Sequence, residues 1–357
     1  MGIKIKELVS FYIITIPIVL TTFYSCTSSC DCSKLLDKNG LKYLTGDPIP
    51  FTGECEENYS DVNKSYFYKK GKLHGYYLVW NEKGQKLVET KYDDGEKVGT
   101  AKIYNNNGKI ILEEPFENGK KNGIVKEWFN DGKIKHTESY SNNIPNGQEL
   151  FYYNNGRKKE QKNFKDGLAH GDWVIWYENG NKRTEGKYKE GLEHGTWITW
   201  YENGKPEKKE KYNDGKPEGK FETRYENGQV ETTGNFINGY EDGLWVIWYE
   251  NGQKKRQGII KNGSEQGLWV SWYPSGQKMT EENFVDGREN GLSTAWFESG
   301  QKKSEINYIS GIFNGEITKW KENGEIIMKG IYANGDLKNL LINKTDSIRG
   351  NIHIPVF

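Results

Sequence analysis

The chain has 357 residues and carries 50 basic and 50 acidic side chains, so its formal net charge is zero. Nucleic acid is therefore excluded as a general partner, because phosphate backbones are bound by clustered basic surfaces. Only 34% of the residues are hydrophobic while 14% are aromatic, so a thick aliphatic core is excluded and burial has to come from aromatic rings.

Residues 1–25 have the pattern of an export signal. Lys4 and Lys6 come before an apolar stretch from about Leu8 to Tyr24, which Pro17 interrupts. The stretch is short for a membrane span, which needs about 20 apolar residues. It predicts a signal peptide over 1–25, with an uncleaved anchor as the alternative.

Cys26 follows directly, and the ending Ser25-Cys26 resembles the lipobox of bacterial lipoproteins. The resemblance implies that Cys26 is lipidated and becomes the mature N-terminus. Phe23 and Tyr24 depart from the small or aliphatic residues that are usual there. A lipid at Cys26 implies an exported, membrane-anchored protein, at the outer membrane or cell surface and not in the cytoplasm. An ordinary signal peptide without lipid is the alternative.

Three further cysteines, Cys30, Cys32 and Cys55, follow the lipobox. In an oxidising space Cys55 could pair with Cys30 or with Cys32, and the sequence does not decide between them. No metal site is predicted, because Cys-Asp-Cys with one distant cysteine and no nearby histidine lacks the ligand spacing of zinc. No cofactor motif is present either. Residues 26–45 are interpreted as a polar tether.

The rest of the chain repeats the phrase Trp-x-x-Trp-Tyr-Glu-Asn-Gly, which stands complete at 173–180, 197–204 and 245–252. Its glycine recurs every 24 residues at Gly84, Gly108, Gly132, Gly156, Gly180, Gly204, Gly228, Gly252, Gly276, Gly300 and Gly324. A fixed period of this length predicts a repeat array. Eleven equivalent copies argue against a single active site.

Each copy reads as one β-hairpin. In the copy at 171–194, residues 172–177 are rich in aromatic and β-branched side chains, which favour strands. Asn179-Gly180 follows and predicts a tight turn in which both residues tolerate positive φ. Residues 181–188 then predict the returning strand.

Aromatic side chains recur at two fixed positions of the repeat. Four residues before the turn glycine there is tryptophan in eight of eleven copies, and eight residues after it there is an aromatic ring in ten. Such ladders predict neighbouring hairpins that cover one another. Glycines that share one position on the returning strand are expected to make room for a ring from across the sheet; they are Gly186, Gly234, Gly258 and Gly330.

The predicted fold is all-β, an elongated antiparallel meander of about eleven 24-residue hairpins in a single repeat domain over 46–335. About 22 strands at roughly 4.8 Å spacing make the array on the order of 100 Å long. Residues 46–75 are interpreted as an imperfect first copy and residues 336–357 as a C-terminal cap, because open sheet edges need covering. Both sides of the first strand are partly apolar, so the sequence leaves open which face is covered.

The pattern Gly-x-Trp-x-x-Trp-Tyr-Glu-Asn-Gly-Gln-Lys-Lys, followed by Tyr-x-x-Gly-Lys-x-x-Gly, resembles the MORN-repeat variant. It is also similar to bacterial proteins of the YwqK-type antitoxin family, including their Pro-Phe-Thr-Gly opening at 50–53. The resemblance spans roughly 46–335. It implies a β-hairpin array used in association with proteins or membranes, and says little about the ligand.

The paired tryptophans of the central copies form the candidate binding groove: Trp173, Trp176, Trp197, Trp200, Trp245, Trp248, Trp269 and Trp272. Stacked rings bind sugars, peptides or quaternary ammonium groups, but the same rings are the only core that the composition offers. Arg224 replaces tryptophan in one copy and marks either a contact point or drift. Variation of the first tryptophan places any specific contact at about 171–275.

Charged columns also follow the repeat. Glutamates two residues before the turn glycine and lysines two residues after it are interpreted as cross-hairpin ion pairs, for example Glu178 with Lys182. A catalytic carboxylate pair is not expected, because every copy is equivalent and neighbouring copies lie roughly 10 Å apart.

The sequence therefore predicts a non-enzymatic, lipid-anchored repeat protein of the bacterial envelope. It would bind a protein or glycan partner along an aromatic-rich sheet. An antitoxin or immunity protein is the alternative, and it rests on the family resemblance alone. A hydrolase is disfavoured because no copy carries a distinctive carboxylate pair.

Overall fold

The computed structural model describes residues 29–344; the predicted signal peptide, Cys26 and residues 345–357 lie outside the described residues. Within the described range every regular element is a strand except for one short 3₁₀ turn. No helix in that range is long and apolar enough to cross a membrane. The prediction of an all-β repeat fold is confirmed.

The strands and the 3₁₀ turn follow in chain order. The N-terminal elements are β1 (Cys30–Asp31), the 3₁₀ turn (Cys32–Lys34), β2 (Leu35–Lys38), β3 (Leu41–Leu44), β4 (Gly53–Asn58) and β5 (Val62–Lys69). The first five hairpins of the array are formed by β6 (Lys72–Asn81), β7 (Lys86–Asp93), β8 (Glu96–Tyr104), β9 (Ile110–Glu117), β10 (Lys120–Lys121), β11 (Gly123–Trp128), β12 (Ile134–Ser141), β13 (Ile144–Tyr152), β14 (Lys158–Lys165), β15 (Leu168–Ala169), β16 (Gly171–Trp176) and β17 (Lys182–Lys189).

The remaining six hairpins and the last strand complete the array. They are formed by β18 (Leu192–Trp200), β19 (Pro206–Asn213), β20 (Lys216–Pro217), β21 (Gly219–Arg224), β22 (Val230–Ile237), β23 (Tyr240–Glu241), β24 (Gly243–Trp248), β25 (Lys254–Lys261), β26 (Ser264–Trp272), β27 (Lys278–Val285), β28 (Arg288–Glu289), β29 (Gly291–Trp296), β30 (Lys302–Ile309), β31 (Ile312–Trp320), β32 (Ile326–Ala333) and β33 (Asp336–Asn343).

Thirty-one of these strands form one sheet. From β4 to β33 each long strand pairs antiparallel with the next long strand along the chain, so the sheet is a meander. The short pieces such as β15 precede a longer strand and pair with the same neighbour as that strand. Each repeat therefore supplies an outgoing strand that ends near the tryptophan and a more polar returning strand.

The turn at Glu178-Asn179-Gly180 differs from the predicted two-residue turn. Gly180 N donates to Tyr177 O at 3.0 Å, and Tyr177 N donates to Asn181 O at 2.9 Å. Only Gly180 has positive φ, at 97°. Asn179 acts through its side chain instead, since its Oδ1 accepts from Asn181 N at 2.8 Å in the manner of an Asx turn.

The tight two-residue turns lie at the other end of the strands. Glu190 and Gly191 have φ of 52° and 84°, and β17 pairs with β18 directly across them. Positive φ at both central residues is the requirement of a type I′ turn. The same end carries Asp214-Gly215 and Asn262-Gly263 with the same signs of φ.

Hydrogen bonds at both ends of the strands join neighbouring repeats. Tyr177 Oη donates to Trp200 O at 2.9 Å and Asn179 Nδ2 donates to Glu202 O at 2.9 Å. At the opposite end Gly191 N donates to Ala169 O at 2.9 Å. The repeats are thus held together beyond the strand ladder.

The interpretation of residues 26–45 as a tether is wrong for the part that the structure describes. β1 pairs in parallel with β4, and β2 and β3 form a separate two-stranded hairpin. A disulfide joins Cys32 in the 3₁₀ turn to Cys55 in β4. The polar composition disguised this cap because its order comes from the crosslink and from backbone pairing, and not from apolar burial.

The described part of the C-terminal cap is one further strand. β33 pairs antiparallel with β32, with two register irregularities. The rest of the predicted cap lies outside the described residues.

Candidate functional site: the two faces of the sheet

The eight tryptophans of the predicted groove lie on opposite faces of the sheet. Trp173 is opposite Gly186 in the ladder, whereas Val174 is opposite Glu185 and Trp176 is opposite Lys182. Because successive side chains point to opposite sides, we name the side of Trp173 face 1 and the side of Trp176 face 2. Face 1 holds Trp173, Trp197, Trp245 and Trp269, and face 2 holds Trp176, Trp200, Trp248 and Trp272. No single groove contains all eight.

Face 1 carries the aromatic core of the central copies. The indole of Trp269 is 3% exposed and that of Trp245 is 7% exposed. A Cβ on Gly258 would lie 2.1 Å from Trp269, and Gly186 and Gly234 stand in the same relation to Trp197 and Trp245. The prediction that these glycines make room for a ring is therefore confirmed. Gly330 differs, because Leu337 and not a ring from the next strand lies over it.

Ring contacts continue this core along the array. Trp173 lies 4.7 Å from Tyr188, and Tyr188 lies 5.2 Å from Trp197. Phe221 and Phe236 both contact Trp245, at centroid distances of 5.5 and 5.6 Å. A cluster of this kind serves stability, so the first tryptophan of each phrase is unsuited to act as a flat binding platform.

Face 2 carries the second tryptophans, which remain partly exposed. A lysine ammonium from the preceding repeat lies over the ring in several copies, for example Lys182 at 6.0 Å from the centroid of Trp200 and Lys254 at 5.9 Å from that of Trp272. Such cation–π contacts are worth about 0.5–1 kcal/mol at exposed sites. These rings are half-covered, whereas on face 1 Trp245 and Trp269 are buried and Trp173 and Trp197 are half-covered too.

The charged columns pair differently from the sequence prediction. Lys182 Nζ contacts Glu185 at 2.6 Å, on its own strand, and not Glu178. Lys278 contacts Glu281 in the same way at 2.5 Å. Glu178 contacts the preceding repeat through its backbone carbonyl, which accepts a hydrogen bond from Asn155 Nδ2 at 3.3 Å. The lysine therefore bridges a carboxylate on its own strand and the ring of the next repeat.

The row of face 2 is interrupted at Arg224. Its guanidinium is turned toward the hairpin end, where Nε donates to Glu222 Oε1 at 2.7 Å and Nη1 donates to Gly228 O at 3.0 Å. A cavity of about 410 Å³ opens beside Trp200 at this point. Its lining is Ile198, Trp200, Lys205, Pro206, Glu207, Lys208, Lys209, Glu222, Arg224 and Gly228. Four basic and two acidic residues give this lining a positive excess.

A polar cluster on face 1 was missed by the sequence. His136 Nε2 lies 3.0 Å from Glu149 Oε1, and one donor atom from each of His136, Glu138 and Glu149 lies within 4.8 Å of the others. Glu149 occupies the repeat position of the first tryptophan, and a carboxylate at this aromatic position was the sequence feature that could have indicated the cluster. The carboxylates already hold partners, since Lys162 Nζ is 3.6 Å from Glu149 and Tyr140 Oη donates to Glu138 at 2.7 Å. The geometry is that of an ion-pair network inserted into the aromatic ladder.

The described cysteines divide into a bonded pair and a free thiol. Cys32 and Cys55 form the disulfide, with Cys55 fully buried, and Cys30 is free. Burial and the neighbouring Asp31 carboxylate raise the pKa of the Cys30 thiol. The pairing found is one of the two that the sequence left open.

The repeated phrase also decides the family. The MORN repeat variant profile matches nine consecutive segments: 97–118, 121–142, 145–166, 169–190, 193–214, 217–238, 241–262, 265–286 and 289–310. Together they cover more than half of the chain. The chain belongs to the MORN repeat variant family. Each matched MORN segment corresponds to one outgoing strand, the turn and the returning strand.

Matches to individual proteins add little about this MORN array. No curated protein matches the chain. Among 54 solved chains that match, one comes from the crystal structure of TcdB2-TccC3, with 11% sequence identity and a TM-score of 0.17. The match covers 80% of this chain but only 20% of the other, so this chain spans about a fifth of that protein's length.

Proposed function

We propose that the chain is an exported, lipid-anchored and non-enzymatic repeat protein that binds a protein or glycan partner on face 2. The cavity between Trp200 and Arg224 is the observation that carries this proposal. It joins an indole, a guanidinium and exposed lysines, which together suit a carboxylate-bearing group next to an apolar surface.

The distribution of cover between the two faces supports the choice of face 2. The rings of face 1 fill the space above glycines and against one another, so a ligand would have to displace the core. On face 2 the large rings are the partly exposed tryptophan row with its lysines. A binding role needs no rearrangement there, as is usual for preformed sites.

The site lies where one copy departs from the others. In most copies a tryptophan occupies the position of Arg224. Arginine forms bidentate contacts with carboxylates and phosphates. The Arg224 side chain is 36% exposed, although its Nε and Nη2 contact Glu222 and its Nη1 donates to Gly228 O. Equivalent repeats with one altered copy suit recognition better than catalysis.

The disulfide supports export, because such bonds persist in oxidising compartments. With Cys32 tied to Cys55 and β1 beginning at Cys30, only three residues separate Cys26 from the sheet. At about 3.5 Å per extended residue, a lipid on Cys26 would hold the start of β1 within roughly 14 Å of the membrane surface. A Cys26→Ala variant that stayed in the membrane fraction after export would contradict the proposed lipid anchor.

A photo-crosslinking amino acid at Lys205, on the cavity rim, tests the partner site in cells that carry the native chain. We expect a specific crosslinked adduct to form from this position. Gln253, two repeats further along in the same column, is the matched control and should give none. Replacement of Arg224 by tryptophan restores the common residue of the repeat, fills the cavity and should remove the adduct while the fold is retained.

Mass spectrometry of the adduct then separates a protein from a glycan. Equal labelling from Lys205 and Gln253, or an adduct that survives Arg224→Trp, would show that the cavity is not the contact point. Loss of membrane attachment leaves this readout unchanged, so the anchor and the binding site are tested separately.

A further inference from the structure

A second feature of face 2 lies in the C-terminal repeats, in the half of the strands near the type I′ turns. Ten large apolar side chains there are 40–61% exposed. They are Ile237, Tyr240, Leu244, Ile259, Leu268, Val285, Leu292, Ile309, Ile312 and Ile331. We call this set the apolar strip. Register pairs such as Leu244 with Ile259 and Ile309 with Ile312 show that its members share the face.

One column runs through the middle of the strip. Leu244, Leu268 and Leu292 occupy the same repeat position in three consecutive copies, about 10 Å apart. In the N-terminal copies the same position is mostly polar: Tyr76, Thr100, Ile124, Gln148, Asp172 and Thr196. The column of three leucines is therefore a property of one part of the array, while exposed Ile144, Leu168 and Leu192 occupy the repeat position of Tyr240 and Ile312 in earlier copies.

The area that contains the strip is large enough for an interface, and Asn283 and Asn307 lie within it opposite Leu268 and Leu292. Four repeats of roughly 10 Å each and about 15–20 Å along the strands give about 600–800 Å². Two such surfaces in contact would bury about 1,200–1,600 Å², which is the size of a standard specific interface.

Charge at the two ends of the column identifies the occupant. Lys220 stands two repeats before Leu268 in the same column, and Glu316 stands two repeats after it. Lys220 is exposed and has no ion-pair or hydrogen-bond partner among the described residues. Lys329 and Thr318 both contact Glu316 through Oε1, and within residues 29–344 its Oε2 has no partner.

The column therefore reads basic, three leucines, acidic. We propose that the apolar strip is a self-association surface for a second copy of this chain, related by a two-fold axis that passes beside Leu268. The reversed copy places its Glu316 opposite Lys220 and its Leu292 opposite Leu244. Such an isologous contact is self-complementary, as two-fold interfaces must be, and sheets pack face to face at about 10 Å with a modest rotation.

Symmetric crosslinking of the full chain in detergent tests the axis. In a Cys30→Ser background, Leu268→Cys should form a covalent dimer under mild oxidation, because the residue meets its own copy. Leu244→Cys alone should crosslink poorly, whereas Leu244→Cys mixed with Leu292→Cys should form a heterodimer. Thr196→Cys, in the same column outside the strip, is the control and should stay monomeric.

A charge exchange tests the ends of the column in the same preparation. Lys220→Glu should raise the dissociation constant of the dimer about tenfold, since two contacts become repulsive. The double variant Lys220→Glu with Glu316→Lys should restore it. Sedimentation equilibrium measures both. These side chains are exposed, so circular dichroism should show that the variants retain the fold.

Three outcomes would overturn the proposal. A chain that sediments as a monomer at tens of micromolar has no self-association surface of this kind. Equal crosslinking of Leu268→Cys and Thr196→Cys would show a collision and not an interface. A monomer that binds phosphatidylcholine vesicles, with binding lost on Leu268→Glu, would make a lipid surface the occupant instead.

Discussion

At the scale of single residues, the most informative positions are glycines that have ordinary φ. Gly186, Gly234 and Gly258 are absent from the positive-φ residues, so conformation does not explain them. They are required because an indole from the next repeat lies on the Cα. The sequence allowed this prediction since the glycines share one repeat position. The sequence could not show which ring contacts each glycine, because the alternation of side chains does not say which neighbouring strand a tryptophan packs against.

Replacing Gly258 by alanine tests the ring contact. The new Cβ would lie 2.1 Å from the Trp269 ring, so the buried indole must move. Overpacking of this kind costs about 1–3 kcal/mol. Gly330→Ala is the matched control at the same repeat position, where the nearest side-chain atom is the end of Leu337 at 2.9 Å. Urea unfolding should show the larger loss for Gly258→Ala, and an equal loss would mean that the ring is not fixed there.

The tyrosines of the aromatic ladder make the stability of the array depend on pH in the alkaline range. Burial and the Glu210 carboxylate raise the pKa of Tyr212 to about 12, and burial and Glu289 raise that of Tyr308 to about 12. A pKa raised above the unfolded value of about 10 means that the folded state keeps its proton longer. The stability that each phenol contributes is complete below pH 10 and is lost as the pH rises toward 12.

We therefore expect cooperative unfolding by circular dichroism between pH 10 and 12, together with phenolate absorbance. Tyr212→Phe removes one titrating group and should shift the midpoint to higher pH. Phenolate that forms near pH 10 without unfolding would contradict the raised pKa values.

At the scale of the hairpin, the strands and their partners were predictable from the sequence, but the roles of the two turns were exchanged. Asn-Gly at 179–180 is a strong signal for a type I′ turn, and the structure uses Asn179 instead to cap the turn and to bind the next repeat. The type I′ turns mostly contain Asp or Asn before glycine, as at Asp214-Gly215 and Asn262-Gly263, and Glu190 and Ser310 are exceptions. At those two turns the register of the flanking strands imposes the conformation, whereas elsewhere both turns of the repeat carry a similar Asn-Gly or Asp-Gly signal.

The tyrosine after the second tryptophan is the element that joins hairpins at their outer edge. Tyr249 Oη donates to Trp272 O at 2.9 Å. Tyr249→Phe should lower the free energy of unfolding by about 0.5–1.5 kcal/mol, the net value of one hydrogen bond. Phe297 occupies the same repeat position without a hydroxyl, so Phe297→Tyr should stabilise by a similar amount. Thermal unfolding measures both changes, and opposite signs are the expected result.

At the scale of the whole molecule, the sequence predicted the array and its order but not the allocation of its faces. Both sides of the outgoing strand are apolar in the type copy, so the pattern of alternation could not separate core from surface. The separation comes from contacts between repeats, such as Trp197 over Gly186. The cap at 30–44 escaped prediction for a related reason, since it is held by Cys32–Cys55 and by parallel pairing of β1 with β4.

A meander in which each hairpin contacts only its neighbours should tolerate the removal of one full period. Deletion of residues 121–144 joins Lys120 to Pro145 and brings together equivalent positions of the repeat. The aromatic positions, the type I′ turns and the edge hydrogen bonds all keep their spacing of 24. Stability in such arrays is approximately a sum over repeats and their interfaces, so the remaining ten hairpins should fold cooperatively.

The matched control removes half a period. Deletion of residues 133–144 removes one returning strand and joins an outgoing strand to another outgoing strand. The tryptophan position of the second outgoing strand then lies where the sheet needs the aromatic residue of a returning strand. Small-angle scattering should show the 24-residue deletion as a folded particle shorter by about 10 Å, the width of two strands. The 12-residue deletion should expose apolar surface and aggregate, because the strand at the junction cannot pair antiparallel with both neighbours. Equal behaviour of the two deletions would contradict a one-dimensional array in which the 24-residue period carries the fold.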